Sequence, residues 1–181
     1  MSPGRPRWAL PGTLAFLVLV PGTVGVLVPF WLTGWHPADI GAGTWLLRAA
    51  GACLVLAGLV SLLDSFARFA LEGMGTPAPV AAPSQLVVSG QYRYVRNPMY
   101  VAVLALVLGE GVALARPILL AYALLLWLAF HLFIVLYEEP ALALRFGIAY
   151  GRYRRSVGRW LPRLRPLEPG LQGTGVKRPR T

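Results

Sequence analysis

Apolar residues fall into four stretches separated by short polar breaks. They run over about 8–32, 45–63, 99–114 and 118–137. A membrane-spanning helix needs about 20 predominantly apolar residues. The first, second and fourth stretches reach that length. The third is short and reads as half of a helical hairpin with the fourth, turning at Ala115-Arg116-Pro117. Pro11, Pro21 and Pro29 predict that the first helix is kinked or broken. That stretch is long for a secretory signal and has no small-x-small site before Trp31, so a retained helix is expected.

Two further segments do not fit a bilayer. Residues 73–90 are rich in Gly, Pro, Ala and Ser and read as a loop. Residues 140–157 read as a basic amphipathic helix, with Leu144, Ile148 and aromatics on one face, lying on the membrane surface. The expected fold is therefore an all-α integral membrane protein. It has about four transmembrane helices, the third and fourth a hairpin, plus a cytosolic amphipathic C-terminal helix. Residues 1–166 form a single domain and 167–181 a disordered basic tail.

Composition reinforces this picture. The 181 residues are 56% hydrophobic and only 13% charged, with a mean hydropathy of +0.61. A soluble domain carries about a quarter charged residues, so a water-soluble enzyme is excluded, as is intrinsic disorder of the whole chain. The single Cys53 rules out a disulfide framework and any multi-cysteine metal site. No metal centre is expected.

Charge sets the expected topology. Lys and Arg number 17 against seven acids, a net +10, and ten of the basic residues follow Glu138. The N-terminus carries Arg5 and Arg7, and the segment before the third helix carries Arg68, Arg93 and Arg96. Four spans place all of these on one side, which the positive-inside rule makes cytosolic. Both termini are then cytosolic. Beside apolar spans, the basic tail points to membrane lipid as a partner and not to nucleic acid.

Candidate chemistry crowds at the cytosolic ends of the third and fourth helices. One cluster is Tyr92-Arg93-Tyr94-Val95-Arg96-Asn97-Pro98-Met99-Tyr100. Pro98 suits the first helical turn and Asn97 an N-cap, and a helix N-terminus attracts anions. The plainer reading is a capped helix start with interfacial Arg and Tyr anchors. A second cluster is the pair Glu138-Glu139, expected at a helix C-terminus, where it opposes the macrodipole and needs compensation from Arg93 and Arg96. The plainer reading is a structural ion-pair network; the functional one is a pocket for a cationic or hydroxyl-bearing ligand. His131 precedes Glu138 by two helical turns, so both face roughly the same way, and a polar residue in a span is a functional candidate. The third cluster, Tyr150, Tyr153, Arg154, Arg159, Trp160 and Pro162, reads as a membrane-interface belt. Nucleotide-binding loops, HExxH and a Ser-His-Asp arrangement are missing.

Taken in order, these clusters resemble the isoprenylcysteine carboxyl methyltransferase family, including its phospholipid-methyltransferase-like relatives. The family's Arg-His-Pro-x-Tyr motif stands here as Arg96-Asn97-Pro98-Met99-Tyr100, followed by the hairpin and the Glu138-Glu139 pair. The lead-in Tyr92-Arg93 and the tail Tyr150-x-x-Tyr153 with Arg159-Trp160-Leu161-Pro162 are also similar. The resemblance implies S-adenosylmethionine as cofactor, with Tyr92, Arg96, Asn97, Pro98, Tyr100, His131, Glu138, Glu139, Tyr150 and Tyr153 around it. Arg96 and Glu139 are the expected catalytic pair. The acceptor would be lipophilic: a prenylcysteine-like carboxylate or a lipid amine. Asn97 replaces the family histidine; it keeps a hydrogen-bonding side chain but cannot titrate near neutral pH. Two other readings stand beside this one: an NADPH-dependent membrane enzyme of the sterol-reductase type, and a non-enzymatic membrane scaffold.

Overall fold

The structure, a computed structural model, describes residues 19–39, 41, 44–71 and 86–168. Among these residues the fold is all-helical. Helix α1 is Leu19–Thr33, α2 is Trp45–Leu71, α3 is Pro98–Ala113 and α4 is Pro117–Phe133. A π turn, Ile134–Glu138, carries α4 without interruption into α5, Glu139–Ser156, so the bundle has four continuous helical rods. Trp45–Arg68 and Pro117–Ser156 are long and apolar enough to cross a membrane, while α1 and α3 are shorter apolar helices. The rods expose Leu46, Leu56, Val60, Leu124, Leu125 and Leu136, an outer surface suited to lipid and not to water.

The hairpin is present, and Ala115 takes φ +52° at its turn. Several other expectations need correction. Helix α2 runs beyond residue 63 to Leu71. Asp64 and Arg68, which follow the apolar run, are an i,i+4 ion pair on the helix (3.0 Å). The first helix does not break at its prolines within the described residues; residues 8–18 lie outside them. Instead α1 contains a π turn, Thr23–Leu27, in which the Val28 N–H bonds the Thr23 carbonyl. Pro29 follows directly. The second π turn likewise precedes a proline, Pro140, and its closing N–H is that of Glu139, bonded to the Ile134 carbonyl. A widened turn lets a helix absorb a missing N–H without ending. The amphipathic helix is therefore an extension of the fourth rod.

The core lies between α2 and α3. Gly51, Gly58, Leu62, Ser65 and Phe66 form the buried stripe of α2. Glycine lets the two backbones meet: a Cβ on Gly109 would come within 2.8 Å of the Gly51 carbonyl oxygen, and one on Gly58 within 2.9 Å of that of Ala102. At the hairpin end, the Arg116 side chain donates to the His36 carbonyl (2.9 Å) and the Ala38 N–H to that of Leu114 (2.8 Å).

On α5 the face is split differently from the expectation. Tyr150 and Tyr153 are buried, with Leu142 and Phe146 packed against them. Leu144 and Ile148 point away and stay exposed. Gly147, at φ +50° and ψ −121°, kinks the helix between them. Leu167, expected to open a disordered tail, is buried and donates its N–H to the Arg93 carbonyl (3.0 Å). Residues 169–181 of that tail, and 73–85 of the expected loop, lie outside the described residues.

Candidate functional site

The lead-in to α3 is held from both sides. Gly90 adopts φ +50° and opens a 3₁₀ turn, Gly90–Arg93; a Cβ there would strike the Arg68 guanidinium. Gln91 reaches back to α2, donating to Asp64 (3.0 Å) and to the Ser61 carbonyl (3.2 Å) and accepting from the Ser61 hydroxyl (2.6 Å). From the other side the segment after α5 runs alongside. Val95 and Gly158 form a parallel bridge. The Arg96 N–H bonds the Gly158 carbonyl (2.9 Å), and the Arg163 N–H bonds that of Tyr94 (2.9 Å). The Tyr153 hydroxyl donates to the Tyr92 carbonyl (2.7 Å).

This framing brings Arg96 to Glu139. Arg96 Nη1 donates to Glu139 Oε1 (2.9 Å) and to the Tyr150 hydroxyl (3.3 Å). Arg159 grips the same carboxylate with two nitrogens, Nε to Oε1 (2.6 Å) and Nη2 to Oε2 (3.0 Å). Arg154 stands 3.6 Å from Oε2. Such a forked pair is directional as well as strong. The hydrogen bonds to Glu139 raise the Arg159 pKa above its ordinary value, against the opposing effect of burial. Glu139 is only 5% exposed, and its carboxylate is fully engaged by cations.

Glu138 has a different environment. Its Oε2 accepts from the Tyr100 hydroxyl (2.9 Å), and it lines an open cavity together with Tyr92, Arg96, Asn97, Tyr100 and Phe130. Val20, Pro21 and Val24 of α1 and Leu62 and Phe66 of α2 complete much of the wall. The Tyr100 and Phe130 rings lie 4.7 Å apart. The Nε of Arg96 is buried without a hydrogen-bond partner, and the residue itself lines the cavity, which therefore carries a cation as well as a carboxylate.

The sequence-derived candidates thus divide. Tyr92, Arg96, Asn97, Tyr100 and Glu138 line the cavity; Glu139, Tyr150 and Tyr153 hold its frame; Pro98 starts α3 at N1. Asn97 makes no side-chain cap and donates instead to the Arg159 carbonyl (3.3 Å). His131 is not among the residues lining this cavity. It accepts from the Trp160 indole (3.2 Å) and stacks beside that ring. The π turn between His131 and Glu138 spoils the two-turn spacing that aligned them in sequence. Arg93 does not compensate the glutamates; it donates to the Leu167 carbonyl (2.7 Å). The pair does not sit at a helix C-terminus either, since the rod continues.

Arg159 takes the place expected of Arg93, and sequence reasoning left it in the interface belt. The pointer to it was available: two adjacent acids at a membrane boundary require more than one cation, and Arg159 precedes the aromatic Trp160. The α1 residues of the wall carried no comparable signal.

An apolar helical bundle with a charged, aromatic-lined cavity at one end defines a membrane-embedded enzyme for a substrate with both polar and apolar parts. The family model for phospholipid methyltransferase matches residues 46–149, more than half of the chain, and the chain belongs to that family. It is accordingly an integral membrane, S-adenosylmethionine-dependent methyltransferase with a lipid acceptor. No curated protein and no solved structure matches the chain. The family assignment replaces the reductase and scaffold readings. It establishes the phospholipid methyltransferase family and not the isoprenylcysteine branch specifically.

The cavity's donor set suits S-adenosylmethionine. Glu138 offers a carboxylate to an ammonium or ribose hydroxyls, and the Arg96 guanidinium offers a positive charge to a carboxylate. Tyr92, Tyr100 and Phe130 offer ring faces to a cationic sulfur.

Proposed function

We propose that this cavity is the methyl-transfer site and that the acceptor is a phospholipid amine, approached at the cytosolic face. The observation that carries the amine reading is the asymmetry of the glutamate pair. Glu139 is engaged by Arg96 and Arg159, while Glu138 has no arginine partner among the described residues and brings its carboxylate to the cavity wall, bonded by the Tyr100 hydroxyl. A carboxylate acceptor such as prenylcysteine would meet repulsion there. A headgroup ammonium would meet attraction.

Arg96, Asn97, Tyr92 and Tyr100 form the cofactor end in this reading, and Glu138 faces both cofactor and acceptor. Bound S-adenosylmethionine supplies a methyl group on a cationic sulfur, which departs as a neutral thioether. Glu138 accepts the proton that the headgroup ammonium must lose. The nitrogen lone pair then forms the N–C bond as the C–S bond breaks and its electrons pass to sulfur. Asn97 cannot serve as the base, and an amine acceptor does not need it to. Glu139, Tyr150, Tyr153 and Arg159 are positioning residues that fix Arg96 and the 3₁₀ turn. The excess of basic residues beside the site supports its cytosolic placement.

The test is tritiated methyl transfer from S-adenosylmethionine to dioleoylphosphatidylethanolamine vesicles, beside calorimetric cofactor binding. Wild-type protein is expected to methylate the lipid, and Glu138→Gln to lose about 100-fold or more of the rate. Label carried only by a prenylcysteine acceptor would overturn the amine reading. Unchanged transfer in Glu138→Gln would remove that residue from the chemistry.

A further inference from the structure

Helix α1 lies outside residues 46–149, the region that matches the family, yet it supplies one wall of the cavity through Val20, Pro21 and Val24. The opposite side of α1 is exposed: Leu19 at 66%, Leu27 at 54% and Trp31 at 88%. So α1 stands between the cavity and the surrounding lipid.

The position of this wall is set by a specific polar contact. In the π turn the Val28 N–H bonds the Thr23 carbonyl and not that of Val24. The next candidate donor for the Val24 carbonyl is residue 29, a proline without an N–H. The Tyr122 hydroxyl of α4 donates to that carbonyl instead (3.0 Å). An unpaired carbonyl is costly in an apolar medium, so the contact pins the π turn of α1 to α4 at the level of Val24.

We propose that α1, held in place at its π turn, is the wall that selects the apolar portion of the lipid acceptor. The acyl chain lies against Val20 and Val24, facing Val103 and Phe130 across the cavity, with Tyr122 as the positioning residue. The proposal rests on the cavity being the methyl-transfer site. The wall presents only apolar side chains, which discriminate by shape and length and not by charge.

Two measurements on the full chain test it. In the first, KM is determined for dioleoyl- and dihexanoyl-phosphatidylethanolamine, with cofactor affinity and thermal unfolding followed in parallel. Val24→Phe, which narrows the wall, is expected to raise the dioleoyl KM at least tenfold more than the dihexanoyl KM. Tyr122→Phe is expected to reduce the discrimination between the two lipids severalfold while the protein remains folded. Cofactor affinity should not move in Tyr122→Phe, whose side chain is not part of the cavity lining. Equal changes for both lipids overturn the proposal. In the second, phosphatidylethanolamine carrying a diazirine on its acyl chain is photolysed with the wild-type protein in vesicles. Adducts on Val24, competed by unlabelled dioleoyl lipid, support the wall. Adducts confined to Leu19, Leu27 and Trp31 overturn it. Absence of lipid methylation in the wild type would instead count against the amine-acceptor reading, and the adduct map would then decide on the wall alone.

Discussion

Glu138 and Glu139 are chemically identical and adjacent, and the structure gives them separate duties. Glu139 holds Arg96 and Arg159, whose side chains are 9% and 22% exposed. Removing one member of a mostly buried network leaves the others uncompensated, at about 3–5 kcal/mol. Glu139→Gln should therefore lower the thermal unfolding midpoint in detergent by several degrees. Arg154, 55% exposed and 3.6 Å from the carboxylate, is the control: Arg154→Ala should cost less than about 1 kcal/mol. Similar losses in the two variants would show that the network does not depend on its buried members. Both glutamates were visible in the sequence as a problem needing compensation. Which of them faces a cavity was not, because that depends on a π turn, and a π turn leaves no periodicity signal of its own.

At the scale of elements, the contact between α2 and α3 is built on absent side chains. Gly109 and Gly58 allow approaches that an alanine would block. Gly109→Ala should destabilise by about 1–3 kcal/mol, as overpacking does. Gly25 in α1 is the contrast, since its added Cβ would meet Leu106 at an ordinary 3.8 Å. Gly25→Ala should stay within about 0.5 kcal/mol of wild type by chemical denaturation in micelles, and a larger loss there than at Gly109 would refute the packing argument. Helix existence was legible from apolar run length for α2, α3 and α4, and the hairpin from Arg116-Pro117. Helix ends were not. The second apolar run reads as ending near Leu63, since sequence alone does not reveal that Asp64 and Arg68 pair on one helix face beyond it. Pro140 read as a boundary because a proline usually ends a helix. The face assignment on α5 failed for a related reason: the backbone at Gly147 leaves helical geometry, so residues on either side do not share one helical wheel.

At the scale of the molecule, the polar end is assembled from sequence neighbours of different helices and closed by the segment after α5. That segment contributes the Gly158 carbonyl to the Arg96 N–H, the Arg163 and Leu167 N–H groups to the carbonyls of Tyr94 and Arg93, and the Arg159 side chain to Glu139. Most of these contacts are to the lead-in before α3, while Arg159 and Trp160 reach the fourth rod at Glu139 and His131. Membrane insertion and site order should thus be separable. A chain ended after Ser156 should still insert and keep its helical content, because the sequences of Trp45–Arg68 and Pro117–Ser156 remain whole and only the Trp160 contact with His131 is lost from the rods. Its Arg96 amide, deprived of the Gly158 carbonyl, should exchange deuterium at least about tenfold faster, in line with local opening of a segment that has lost its hydrogen-bond partners. Cofactor affinity should fall with it, since Arg96 loses both its backbone anchor and the Arg159–Glu139 clamp beside it. Retained protection at residues 93–97 would mean that Gln91 and α2 alone hold the lead-in, and the segment after α5 would then be a passive cover and not part of the site's frame.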